Sequence, residues 1–236
     1  MRAGQEARNL PGYTPEEPGD ARMSASPGTI GPALVELRER NIHRVGDDEP
    51  AVWLIDDREM GGILVNAPPF SDALLQELRA LTEPRWLFLP SHRGARDLEA
   101  WREAGLEVLA YEAEAPAIRA AGGTVDTPFN RKQRLSRTID FLPMGGVTEG
   151  TCALRIKNLP GAIFFGPALT PGEDGWPTVI PEATDHSAEA RLFGSLGIKD
   201  LKFAWAFCDR HDPETTHIGP DADQHIHARV EALFED

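Results

Sequence analysis

RWLFLPSHRGARD, residues 85–97, reads as an apolar strand over 85–90, closed by Pro90. A polar Ser91-His92 pair follows, then a turn into a helix from about Ala95 to Ala104 with Leu98 and Trp101 inward. Working outward, GILVN (62–66) is a second short apolar strand, broken by Pro68-Pro69. Ser71 then caps a helix, SDALLQELRALT, whose Leu74, Leu75, Leu78 and Leu81 recur at helical spacing. LEVLAY (106–111) is a strand again. Strand, helix, strand, helix, strand is a βαβαβ unit, which predicts a mostly parallel sheet with helices packed on it.

Upstream, 35–45 and 51–55 read as strands, the second followed by a turn at Asp56-Asp57. Downstream, 112–137 is helical and then loop-like. Strands return at 138–142, 151–157 and 161–166, joined by Gly145-Gly146 and Asn158–Gly161, which suit hairpins. A loop rich in Pro and Gly spans 167–181. A helix over 186–195, a strand over 201–207 and a helix from about Asp221 to Phe234 complete the pattern. Both halves run strands then helices, so two sheets packed face to face with outer helices are the natural assembly.

Residues 1–32 carry five Pro and five Gly and little apolar surface, which predicts a flexible arm before a single domain over 33–236. Lys and Arg number 24 against 38 Asp and Glu, a net charge of −14. Such a balance speaks against wrapping nucleic acid or adhering to anionic membrane. No apolar run approaches membrane-spanning length and no leader pattern opens the chain. Two cysteines, Cys152 and Cys208, do not make a disulfide framework, so a reducing, cytoplasmic setting is the expectation.

Five phrases in order resemble the metallo-β-lactamase superfamily over roughly residues 34–235: GGILVNAP (61–68), PSHRGARD (90–97), LPMGGVTEG (142–150), AIFFGPAL (162–169) and FAWAFCDRH (203–211). The resemblance implies an α/β fold, a four-layer αββα sandwich of two mixed sheets with the site along one edge. It also implies metal ions that activate water against esters, amides, thioesters or phosphodiesters. Position by position, the ligands are missing. The first histidine of the family's Thr-His-x-His-x-Asp-His is kept as His92. Gly94 stands for the second, Arg96 for the aspartate and Asp97 for the last histidine. Val147 stands for the histidine of the next phrase and Pro167 for the bridging aspartate. The late histidine falls near Cys208 or Asp209, and the acid that ends the third strand is Asn66. Valine, proline and glycine offer no donor, and a guanidinium repels a dication. The expectation is a pseudoenzyme without the binuclear centre and without another cofactor.

The weak catalytic candidates are His92 with Asp97, as a general base, and Cys208 with His211, as a thiolate pair. His211, His217, His225 and His227 crowd the last stretch, without a standard zinc spacing. Arg93, Arg96 and the basic run with Arg131, Lys132 and Arg134 are candidates to bind an anion. Three readings stay open: a metal-free module binding a small anionic ligand, a hydrolase with a rebuilt metal-free or mononuclear site, and a structural or oligomeric protein, such as a homodimer, with a filled cleft.

Overall fold

The computed structural model describes residues 29–131 and 133–235. Residues 1–28, most of the segment expected to be an arm, and Lys132 and Asp236 lie outside the described residues. The first sheet contains β1 (Ile30–Leu37), β2 (Arg40–Val45), β3 (Val52–Asp57) and β4 (Gly61–Val65), then β5 (Pro84–Leu89), β6 (Glu107–Tyr111) and β7 (Thr127–Phe129), side by side in chain order. Helices α1 (Asp72–Leu81), α2 (Leu98–Glu103) and α3 (Ala115–Ala120) connect its parallel strands. The second sheet has the order β13-β10-β9-β8, from β8 (Ile139–Pro143), β9 (Cys152–Ile156), β10 (Ala162–Gly166) and β13 (Trp205–Cys208). A small hairpin of β11 (Thr170–Pro171) and β12 (Pro177–Thr178) lies in the loop after β10, and α4 (Ala188–Leu196) and α5 (Ala222–Ala232) cover the second sheet.

The two-residue period of the strands builds the layers. Trp53, Ile55, Ile63, Val65 and Phe88 face the second sheet and meet Phe141, Leu154, Phe164 and Phe207 there. Phe129 and Phe141 stack across the junction with centroids 3.8 Å apart. The alternate residues, Val52, Leu54, Leu64, Leu87 and Leu89, face Leu74, Leu78 and Trp101 of the helices. On the far side Ile163, Phe165 and Cys208 pack with Ile226 and Val230 of α5. The four-layer αββα sandwich is therefore present, with one core between the sheets and one under each helical layer.

Local differences from the sequence reading have local causes. The expected single strand over 35–45 is a hairpin, and β1 begins at Ile30, inside the segment assigned to the arm. The Asp56-Asp57 turn is instead the end of β3. Buried Asp57 accepts from the backbone N–H of Glu59 and Met60, closing the turn beyond it, and pairs with buried Arg40. Helix α2 starts at Leu98 because residues 92–94 form a tight 3-10 turn first. The strand expected over 201–207 is formed only from Trp205.

Candidate functional site

Several strand ends meet at one edge of the sandwich. β5 delivers Ser91 and the turn His92–Gly94, with the Ser91 hydroxyl accepting from the Arg93 N–H at 3.3 Å. β4 leads into Asn66, held at φ +66°, a left-handed conformation that asparagine tolerates. β10 ends before Pro167, and Asp209 follows β13. The loop carrying Val147 passes so close to α4 that a Cβ at Gly146 (φ +138°) would strike the Arg191 backbone.

The residues at this edge do not fit two metal ions. A Cβ at Gly94 would run into Oδ1 of Asn66, so the position of the second histidine is already occupied. Asn66 donates to Ala51 O at 2.9 Å and to Asp209 Oδ1 at 2.7 Å, and its own Oδ1 is buried without a partner. At the Pro167 corner sits a guanidinium. Arg191 donates to the carbonyls of Pro167 and Ala168 (both 3.1 Å) and pairs with Asp185 at 2.8 Å, both side chains almost fully buried. Among the described residues no three His, Cys, Asp or Glu side chains are arranged to hold an ion.

The two buried acids of the edge differ. Glu114, just ahead of α3, is 1% exposed. Oε2 accepts from the N–H of His92 and lies 2.6 Å from His92 Nδ1. Oε1 accepts from the Thr148 hydroxyl at 2.6 Å and the Gly150 N–H at 2.8 Å. Among the described residues Asp209 accepts only the Asn66 amide from a side chain, and burial pushes its carboxyl up to about 7, against the pull of Asn66, Arg93 and Arg44.

A cavity of about 250 Å³ remains open at the edge, lined among others by Arg93, Val147, Pro167, Arg191, Asp209 and Arg210. A groove of about 460 Å³ adjoins it, sharing Arg93 and Val147 and lined also by His92, Glu114, Thr184 and His186. Arg191 is matched by Asp185, and Arg210 by Glu182 at 3.0 Å. Arg93 donates only to carbonyls, Thr184 O at 3.2 Å and Val147 O at 3.5 Å, and touches no carboxylate among the described residues.

The sequence candidates divide accordingly. His92 and Arg93 reach the edge. Asp97 is not the partner of His92. Its carboxylate accepts from the Phe70 N–H at 3.0 Å, on the side of α1 and α2. Arg96 turns away to Asp48 (3.7 Å) and Glu49 O (2.8 Å). Cys208 faces the α5 layer, where burial pushes its thiol well up and opposes thiolate formation, while His211 packs edge-on to Trp53 at 4.9 Å. The two do not form a nucleophile–base pair. Arg134 lines a separate hollow beside Trp86, and Arg131 lines neither cavity of the edge. The late histidines disperse: His217 and His225 pack on Trp176, His227 on Phe203. Glu114 and Arg191 were not foreseen. Neither sits in a recognisable phrase, and only contacts far apart in sequence give them their place.

No protein-family model and no curated protein sequence matches the chain. Solved structures do. A Cronobacter sakazakii metallo-β-lactamase with a HARLDQ motif is 16% identical, TM-score 0.58, over 82% of this chain and 90% of that one. A metallo-β-lactamase from Pontibacter korlensis is 12% identical, TM-score 0.64, over 86% and 99%. The FIM-1 metallo-β-lactamase from Pseudomonas aeruginosa, in its mono-zinc form, is 11% identical, TM-score 0.62, over 90% and 98%. At such identities the likeness is one of fold. No helix among the described residues is long and apolar enough to cross a membrane.

Proposed function

The chain has the metallo-β-lactamase fold, and from that premise we propose that it is a metal-free binding module whose remaining cleft receives a small anion, such as a carboxylate or phosphate. The observation that carries this reading is Arg93: a guanidinium at the junction of two open cavities, bonded among the described residues to carbonyls alone. Guanidinium N–H groups in that state favour a bidentate oxyanion. An open cavity speaks against a filled cleft serving only as a structural surface. The two unpaired, buried cysteines accord with a reducing compartment.

Charge decides when the anion enters. With the Arg191–Asp185 and Arg210–Glu182 pairs cancelling, Arg93 faces Asp209 and Glu49. Protonation of Asp209 near pH 7 removes one of these negative charges. Phosphate or succinate should therefore bind more tightly at pH 6 than at pH 8, and should raise the melting temperature of the wild type. A ligand at a hundred times its Kd adds about 2.7 kcal/mol. Arg93→Ala should abolish that response while leaving the unliganded melting temperature almost unchanged. Excess zinc should not raise the melting temperature. A zinc-dependent rise, or an anion response that survives in Arg93→Ala, overturns the reading.

A further inference from the structure

His92 and Glu114 form a unit that anion binding does not require. Three donors, the N–H groups of His92 and Gly150 and the Thr148 hydroxyl, converge on the Glu114 oxygens, the pattern that a carboxylate accepts. The hydrogen between Glu114 and the imidazole therefore sits on His92 Nδ1, which leaves the lone pair on Nε2. Glu114 is buried, whereas the His92 side chain is 40% exposed in the groove that Arg93 also lines. No described residue hydrogen-bonds to Nε2. This is an oriented base with its orienter behind it. No hydroxyl or thiol of the described residues bonds to Nε2, which leaves water as the group for it to deprotonate.

We propose that His92 is a metal-free general base that delivers water to the acyl carbon of an ester whose own carboxylate is anchored by Arg93. The ester's charge rests on the anion-binding reading above; the base does not. In the step, Nε2 takes a proton from water as the water oxygen bonds to the carbonyl carbon. The acyl C–O bond then breaks, and the Nε2–H proton passes to the leaving oxygen. The products are a carboxylic acid and an alcohol, with nothing oxidised or reduced. A weakly basic leaving oxygen, such as a phenolate, suits a groove whose proton donor is a single imidazole. His92 is the catalytic residue and Glu114 a positioning residue.

The test uses the full chain in excess EDTA with 4-acetoxybenzoate as substrate and its uncharged methyl ester as control. The wild type should turn over the charged ester above background. His92→Gln should lose about 100-fold or more, the range of a general base, whereas His217→Gln should not change the rate. Glu114→Gln should lower kcat with KM nearly unchanged. Arg93→Ala should raise KM about tenfold, the weight of one charge-assisted contact, for the charged ester alone. Should Glu114→Gln not fold, nitrogen-15 shifts of wild-type His92 read the same point, with Nδ1 protonated and Nε2 bare. A wild-type rate equal to that of His92→Gln, or a proton found on Nε2 of the neutral ring, overturns the proposal. If phosphate still stabilises the protein through Arg93 in that event, the base falls and the anion site stands. Turnover that depends on His92 but not on Arg93 overturns the anchor.

Discussion

Glu114 and Asp209 are both buried carboxyl groups on the same edge of the sandwich, 1% and 8% exposed, and the protein treats them oppositely. Four polar groups meet Glu114, from two separate segments of the chain, the turn at His92 and the loop of Thr148 and Gly150. One amide meets Asp209, and that amide leaves its own oxygen orphaned. Burial alone disfavours the charged form, so the unsupported acid titrates near neutrality. The edge thus has a finished half, where an imidazole is kept and oriented, and an unfinished half, where an amide, a carboxyl and a guanidinium occupy the ground of a metal site. The difference puts the proposed base on the His92 side and the acid that titrates near neutrality on the Asp209 side.

The contrast breaks first at Glu114. Glu114→Ala would strand the N–H groups of His92 and Gly150, while the buried Thr148 hydroxyl would keep the Thr151 hydroxyl at 2.7 Å. Each stranded group costs about 1–3 kcal/mol, so urea denaturation should show a loss of roughly 2–5 kcal/mol. A loss under about 1 kcal/mol would erase the distinction. Asp209→Asn should act in the other direction. The folded-state value of about 7 lies above the ordinary 3.8, so the native state holds this proton more tightly than the unfolded chain. Its contribution to stability is full below about pH 4 and declines as pH rises to about 7. Asp209→Asn should remove that slope and, at pH 8, stabilise the protein by about 2–3 kcal/mol. An unchanged slope would show that Asp209 is ionised throughout.

How far this was legible in the sequence follows from the range of each signal. Strand alternation and the Ser71 cap are local, so the layers and the parallel βαβαβ unit could be read directly. That Val147, Pro167 and Gly94 carry no ligating side chain follows from residue type alone, whatever the conformation. Pairing at long range was not. Asp97 lies five positions from His92 and looks like its partner, yet the 3-10 turn sends it toward Phe70. The real partner, Glu114, stands 22 positions on, brought in where β6 runs into α3. Cys208 and His211 looked adjacent, but strand alternation puts Cys208 on the helical face of the second sheet while His211 packs on Trp53.

The smallest expected effect bears on whether the unfinished half is closed to a ligand or merely lacks one. A Cβ at residue 94 would collide with Asn66 Oδ1 and crowd its Cγ at 2.8 Å. Asn66 has little freedom to yield, because Ala51 O and Asp209 hold its amide. Gly94→Ala should therefore destabilise by about 1–2 kcal/mol through overpacking. In an Asn66→Gly background, which preserves the positive φ, the same substitution should be nearly neutral, giving a coupling of about 1 kcal/mol or more. Equal costs in both backgrounds would mean that something other than Asn66 excludes a side chain there. If the coupling is found, a histidine at 94 has room only after Asn66 is gone. Restoring metal ligands one at a time must then fail on sterics before affinity is at issue, while the Glu114–His92 half stays intact.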